Sequence, residues 1–314
     1  MQTHDLKILC LTPIKHIVGA WENLQKCGTV EYLPNAGFVD AHSMVISYRP
    51  DVLFVNPNQM TYRIDSRLMC GVKIVCTAST GTNHIDVDYC QKNGIDIISL
   101  ARDYKTIEKI SSTAEHAFAL TLSLIRMIPS AFDSVKSFQW VSNNYIGRQL
   151  NSLTAGVVGY GRLGRMYANY CSAFGMRVIV CDPYKKIEAY ENTDLHSLMG
   201  QTDIVSLHVH LSSETRHLIS RKSLLCSNSS GIYIINTSRG DIVNEGDIIK
   251  FLENKRVSGY AADVVSDELG NIANSEIIRR IKDLNIIITP HIGGATREAQ
   301  QIAYNTVIER LLNC

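Results

Sequence analysis

The sequence predicts an α/β fold built on two doubly wound parallel sheets, and three observations predict it. Short apolar runs rich in Ile, Val and Leu alternate with longer amphipathic stretches, the order expected of βα units. The apolar runs are nearly continuous rather than alternating, as suits strands covered on both faces. They also fall into two series, one ending near Ser99 and one beginning at Leu153, with a polar stretch after the first. A chain of 314 residues has room for about two domains.

In chain order, residues 7–11, 52–55, 73–76 and 96–98 read as the strands of the first series, with a helix over 87–92. Residues 113–128 (TAEHAFALTLSLIRMI) read as one long apolar helix. The second series has strands at 155–158, 178–181, 204–207, 231–235, 258–261 and 286–288, and helices at 163–174 and 245–253. A last helix over 296–312 carries Ala299, Ile302, Ala303, Thr306, Val307 and Leu311 on one side, a face that must be buried. No Gly/Ser-rich or Pro-rich linker, repeat or low-complexity segment separates the series, so crossings between domains are expected near Ser99 and Pro290.

Composition narrows the function. Hydrophobic residues make up 45% and charged residues 19%, and the formal net charge is +1. That balance excludes nucleic-acid binding by bulk charge and an acidic solvating tail. No run approaches the ~20 apolar residues of a membrane helix. The first thirteen residues lack a basic region followed by an apolar stretch, so no secretory leader and a cytoplasmic location are expected. The nine cysteines (Cys10, Cys27, Cys70, Cys76, Cys90, Cys171, Cys181, Cys226, Cys314) form no CxxC pair. They are expected to be small buried thiols in a reducing compartment, with no clustered ligands for zinc.

The sharpest local signal is G-x-G-x-x-G at Gly159, Gly161 and Gly164. A buried strand precedes it, and a helix with Leu163, Tyr167, Tyr170, Cys171 and Phe174 on one side follows. The next strand ends at Asp182, eighteen residues after Gly164. This is the Rossmann dinucleotide pattern. Gly159 permits a tight turn, Gly161 lets a pyrophosphate approach the backbone, and Gly164 lets helix and strand pack closely. The helix N-terminus offers unpaired N–H groups to the phosphates. Asp182 would accept ribose hydroxyls and repel a 2′-phosphate, favouring NAD over NADP, although Lys185 and Lys186 just beyond it weaken that preference.

Three further segments follow apolar runs: Asn236–Gly240 (NTSRG), Asp263–Glu268 (DVVSDE) and Pro290–Gly294 (PHIGG). In a doubly wound sheet all three gather at the carboxyl ends of the strands, where ligands bind. Taken singly, Arg239 suits a surface ion pair, Glu268 a solvated loop acid beside Asp263 and Asp267, and His291 a turn histidine. Together beside a nucleotide loop they form a chemically meaningful set.

These residues carry a resemblance. The chain is similar to members of the D-isomer-specific 2-hydroxyacid dehydrogenase family, close in layout to the bacterial phosphoglycerate dehydrogenases. The matching pieces are TASTGTNHID (77–86), TAEHAFALTLSLIR (113–126), VVGYGRLG (157–164), DIVSLHVHL (203–211), INTSRGDIV (235–243) and TPHIGGAT (289–296). The resemblance implies that Arg239, Glu268 and His291 are catalytic. It implies NAD contacts at Arg162, Leu163, Asp182, Thr237, Ser238, Arg239, Asp263, His291, Gly293 and Gly294. It implies a flavodoxin-like substrate domain (residues 1–99 and 291–314) into which the NAD-binding domain (100–290) is inserted, and a homodimer built around the helix of the TAEH segment. The sequence departs from the family's usual proline at His210 and at Leu269, and it stops at Cys314, so the regulatory tail domain of some phosphoglycerate dehydrogenases is not expected.

The expected substrate is a small 2-hydroxy or 2-keto acid. Arg239 and the N–H groups of Ser79, Thr80 and Gly81 would hold its carboxylate, His291 would act as general acid and base, Glu268 would orient the imidazole, and Asp263 would hold the nicotinamide carboxamide. The loop Asn56-Pro57-Asn58-Gln59 is uncharged where phosphoglycerate members are expected to carry a basic residue, which points away from a phosphorylated substrate, although Arg102 and Lys105 offer charge elsewhere. The family's formate members lack a glutamate at the position of Glu268. The alternatives are phosphoglycerate dehydrogenase proper and a non-enzymatic NAD-sensing regulator.

Overall fold

A computed structural model describes residues 6–57, 62–228, 231–266, 268 and 272–314. Asn58, Gln59, Asp267 and Leu269 lie outside the described residues. The chain forms two compact units, one from the residues before Ser111 and after Gly293, the other Ser111–Gly293. In sequence, the second unit is inserted in the first.

The first unit holds β1 (Leu6–Cys10), β2 (Gly28–Tyr32), β3 (Val52–Val55), β4 (Ile74–Thr77) and β5 (Asp96–Ile98) in the order β2-β1-β3-β4-β5. Every pairing is parallel. This is the flavodoxin-like order. The expected strands are present. The addition is β2, GTVEY, where Thr29 and Glu31 interrupt the apolar run. It lies at the sheet edge and none of its residues is fully buried, so nothing demanded a hydrophobic pattern.

The last helix, Arg297–Leu312, packs into this unit's core beside the helix Ala20–Cys27. Its buried residues are Ala299, Ala303, Tyr304, Val307, Ile308 and Leu311. The face is therefore turned from the expected one: Ile302 and Thr306 are only half-buried, and Tyr304 and Ile308 take their places. A buried phenol needs a partner, and Tyr304 finds Thr12 Oγ1 at 3.2 Å and the amide of Asn56. The segment after β5 stays with this unit too. Leu100 and Ile107 enter the same core, and Arg310 pairs with Asp103 and donates to the Ser99 carbonyl at 2.7 Å.

The second unit holds β6 (Thr154–Val158), β7 (Arg177–Cys181), β8 (Glu191–Asn192), β9 (Ile204–Leu207), β10 (Ile232–Asn236), β11 (Val257–Ala262) and β12 (Ile286–Ile288). The order is β12-β11-β10-β9-β6-β7-β8, again wholly parallel. Only the two-residue edge strand β8 had no counterpart in the sequence pattern. Strand order reverses between β6 and β9, which opens a crevice at their carboxyl ends. Register fixes what lines it. Val158 pairs with Cys181 and Leu207, Leu207 with Asn236, Asn236 with Ala262, and Ala262 with Ile288. The residues that follow, Gly159, Asp182, His208, Thr237, Asp263 and Thr289, therefore stand in one row along the sheet edge.

The long helix expected over 113–128 is instead Ser112–Ile125, and a second helix, Ile128–Lys136, follows at a 62° bend. Pro129 is the cause: it has no N–H to give the Ile125 carbonyl and its ring clashes there. Met127 turns the chain at φ +50°. Among the described residues no single helix is long and apolar enough to cross a membrane. All nine cysteines are free. Five are buried, Cys181 and Cys226 are half-buried, and Cys70 and Cys314 are exposed, which corrects the expectation of burial for those two.

The C-terminal helix should be required for the first unit. Leu311→Ala, at a fully buried position, is expected to cost about 2–5 kcal/mol. Denaturant unfolding followed by the fluorescence of Trp21, which packs against the same core, measures it. A loss below about 1 kcal/mol would refute this packing.

Candidate active site

The glycine loop is shaped by close approach. Gly159 has φ +89°, and a Cβ there would lie 2.6 Å from the His208 carbonyl oxygen. A Cβ on Gly164 would lie 1.9 Å from the carbonyl oxygen of Gly159. Gly161 differs: nothing lies within 4 Å of where its Cβ would be. It caps the helix Arg162–Ala173, whose first-turn N–H groups have no intrahelical acceptor. Arg162 and Leu163 are half-exposed in that turn.

Asp182 is buried at the end of β7. Its carboxylate accepts the N–H groups of Tyr160 at 2.9 Å and Tyr184 at 3.0 Å. A carboxylate has about four acceptor positions, so two remain. The neighbouring lysines are engaged: Lys185 donates to the Tyr160 carbonyl at 2.8 Å, and Lys186 pairs with Glu188 at 3.2 Å. At the end of β10, the hydroxyl of Thr237 is buried and has no hydrogen-bond partner among the described residues. Open space at Gly161, a helix N-terminus, a carboxylate with capacity to spare and an unsatisfied hydroxyl in one row suit a dinucleotide. Beyond β9, exposed His210 stands where the family usually has proline, and its carbonyl accepts the Thr215 hydroxyl at 2.6 Å. A side-chain bond thus shapes that loop.

The turn after β10 is wound on Asn236. Its side-chain oxygen accepts the Ser238 N–H at 3.1 Å, and its amide donates to the Arg239 carbonyl at 2.9 Å. Ser238 Oγ donates to the Leu207 carbonyl at 2.8 Å. Arg239 is half-buried and donates from Nη1 to the Ser238 carbonyl at 2.6 Å. Burial pulls its guanidinium below the ordinary value, and the Glu268 carboxylate opposes that shift. The group remains a cation, since arginine is not deprotonated in proteins.

Glu268 Oε2 lies 3.0 Å from His291 Nδ1. An ionised carboxylate only accepts, so in that pair Nδ1 carries the hydrogen and Nε2 is the ring nitrogen left over. His291 has φ +53°, a left-handed conformation that costs a non-glycine residue about 1–2 kcal/mol. Asp263, 2% exposed at the end of β11, holds the loop in that shape. Its carboxylate accepts the Ile292 N–H at 2.8 Å, the Gly293 N–H at 2.6 Å and the Thr289 hydroxyl at 2.6 Å. His116 Nε2 stands 3.3 Å from the same carboxylate and 2.9 Å from Thr289 Oγ1.

Ser79, Thr80 and Gly81 belong to the first unit, as does Gly294. They follow β4, where Thr77 Oγ1 meets Ser79 Oγ at 3.0 Å and Ser79 Oγ donates to the Gly81 carbonyl at 2.7 Å. Thr80 is exposed. The second unit therefore gathers the glycine loop, Asp182, Thr237, Ser238 and Asp263 along one edge and couples Arg239, Glu268 and His291. Sequence reasoning did not single out His116 and Thr289, although both lie in the matching TAEH and TPH pieces. Their only signal was a polar residue at a strand end and a histidine on an apolar helix.

Residues 118–293 match the family model described as D-isomer specific 2-hydroxyacid dehydrogenase, NAD binding domain. The D-3-phosphoglycerate dehydrogenase of Bacillus subtilis is 37% identical over 78% of the chain and 45% of its own length. The chain thus spans less than half of that relative. The hydroxypyruvate reductase of Thermotoga maritima is 32% identical over 76% of each chain. Among solved structures, the D-lactate dehydrogenase of Aquifex aeolicus, complexed with NAD and lactic acid, is similar at a TM-score of 0.80 and 26% identity, covering 97% of this chain and 93% of that one.

Two glycine substitutions should separate folding from nucleotide binding. Gly161→Ala is expected to keep Tm within about 2 °C while weakening NADH binding at least about 10-fold, since its methyl enters the open space. Gly164→Ala is expected to lower stability by about 1–3 kcal/mol. Calorimetric melts and NADH fluorescence titrations read the two effects. Undiminished NADH affinity in Gly161→Ala would remove the phosphates from that space.

Proposed function

The chain belongs to the D-isomer specific 2-hydroxyacid dehydrogenase family, and on that premise we propose that it oxidises a small D-2-hydroxy acid, or reduces the matching 2-keto acid, at C2. The hydrogen-bonded pair of Glu268 and His291, electrostatically joined to Arg239, carries this reading. NAD supplies the hydride acceptor and, when reduced, the hydride donor. The first-turn N–H groups after Gly161 would hold its phosphates and Asp182 would accept its ribose hydroxyls, whereas the four acceptor positions of Asp263 are already taken by Thr289, Ile292, Gly293 and His116. The Asp182 carboxylate would repel a 2′-phosphate, which supports NAD over NADP, with Lys185 bonded to the Tyr160 carbonyl and Lys186 paired with Glu188.

Arg239 binds the substrate carboxylate and polarises the keto oxygen. His291 Nε2 removes the hydroxyl proton during oxidation and returns it to the developing alkoxide during reduction. Glu268 keeps the hydrogen on Nδ1 and stabilises the imidazolium. An unphosphorylated substrate is favoured, because Asn56 gives its amide to Tyr304 in the core and brings no charge. The 37% identity to a D-3-phosphoglycerate dehydrogenase keeps a phosphorylated acid as the second reading.

A homodimer through the second unit is part of the proposal. The helix Ser112–Ile125 is largely buried, so its neighbour Ile128–Lys136 offers the face. Ile128, Phe132 and Val135 follow i, i+4, i+7 spacing and are 50%, 62% and 48% exposed. Phe138 and Trp140 beside them are nearly fully exposed. Apolar surface of this kind marks an interaction site.

His291→Ala is expected to lose turnover about 100-fold or more while NADH still binds. Unchanged turnover would remove His291 from the chemistry. NADH consumption with glyoxylate, hydroxypyruvate, pyruvate, branched 2-keto acids and 3-phosphohydroxypyruvate identifies the substrate class, and flat traces throughout would favour an NAD-sensing role. Phe132→Asp is expected to weaken self-association at least about 10-fold, read by light scattering. A parent chain that is monomeric at all concentrations would contradict the dimer.

A further inference from the structure

His116 is bonded to Asp263, the residue that shapes the His291 loop. The loop Thr289–Gly293 folds around the Asp263 carboxylate, which takes two backbone N–H groups and one hydroxyl from it. Every one of those bonds comes from the loop itself. The support from outside is the His116 imidazole, which reaches in from the helix Ser112–Ile125. The chemistry fixes its proton. Thr289 gives its hydrogen to Asp263 at 2.6 Å and has only lone pairs left for Nε2. Asp263 likewise only accepts. An unprotonated Nε2 at 2.9 Å and 3.3 Å from two acceptors would be repelled by both, so Nε2 carries the hydrogen and shares it between them.

We propose that His116 is a positioning residue for the reaction at His291: its Nε2–H fixes the Asp263 carboxylate so that both oxygens grip the loop and hold His291 toward Glu268. The inference rests on the reading of His291 as acid and base. The helix that carries His116 packs against β10, β11 and β12, so the imidazole is mounted on the sheet rather than on the loop it steadies. Without it the carboxylate keeps only the bonds from the loop it has to hold. The Ile292 and Gly293 N–H groups then lose a fixed acceptor, and the left-handed turn at His291 loses what compensates its strain. A proton-transfer atom displaced by about 1 Å loses about 100-fold in rate. Arg239 hangs on the Asn236 turn and the phosphate loop on β6, so the hold on the substrate carboxylate and on the cofactor's phosphates should be kept.

His116→Ala and His116→Gln test this, because the glutamine amide nitrogen sits near the place of Nε2 and restores a donor. In His116→Ala, kcat is expected to fall about 10–100-fold, with KM for the keto acid and the NADH Kd within about 3-fold. In the protein without nucleotide, amide exchange of the 289–296 peptide should accelerate. His116→Gln should return kcat to within about 5-fold of the parent and restore the protection. A kcat within about 3-fold of the parent in His116→Ala, or equal losses in both variants with the peptide still protected, overturns the proposal. Retained turnover in His291→Ala would instead overturn the reading beneath it, and amide exchange would still decide whether His116 holds the loop.

Discussion

A carboxylate almost sealed from water holds the chemical end of the second unit in shape. Burial by itself pushes Asp263 toward its neutral form. The bonds from His116, Thr289 and the N–H groups of Ile292 and Gly293 together outweigh that, and the group ends below the ordinary carboxylate range. The balance works in one direction: a buried anion is tolerable only where several donors converge, and here the donors belong to the loop that carries His291. The charge cannot be satisfied unless the loop closes on it. The left-handed turn at His291 is thus the shape in which a buried charge is paid in hydrogen bonds.

The parallel sheet does the rest of the placing. Strands buried on both faces have little freedom of register, because each residue step would move a whole apolar set. With register fixed, the first residue beyond each of these strands is fixed too: Gly159, Asp182, His208, Thr237, Asp263 and Thr289. The glycine turn packs backbone on backbone, since a Cβ on Gly164 would lie 1.9 Å from the Gly159 carbonyl oxygen. Arg239 and His291 are each aimed by a turn, the first wound on Asn236 and the second on Asp263, and Glu268 meets the imidazole.

The sequence made the strands legible where burial forced apolar runs on them, and illegible where it did not. β2 is an edge strand with Glu31 in its middle, and β8 is two residues long, so neither had a pattern to read. The break after Ile125 was written in Pro129, but the apolar run through Met127 and Ile128 masked it. On the last helix, spacing alone placed Thr306 inside. The choice between neighbouring faces was made by the Tyr304 hydroxyl and its partners Thr12 and Asn56, a tertiary contact that no local pattern encodes. The glycine loop, Asp182 and the set of Arg239, Glu268 and His291 could be singled out because glycines, acids, an arginine and a histidine in segments that follow apolar runs form a pattern. His116 was not, since a histidine on an apolar helix has the same pattern whether it packs or pins.

Charge explains why these three side chains belong together. The Glu268 carboxylate opposes the shift that burial forces on the Arg239 guanidinium, and the same carboxylate meets His291 Nδ1 at 3.0 Å. Removing Glu268 would take away both the charge opposed to the half-buried guanidinium and the acceptor at His291 Nδ1, and a neutral hydrogen-bond acceptor would replace only the second.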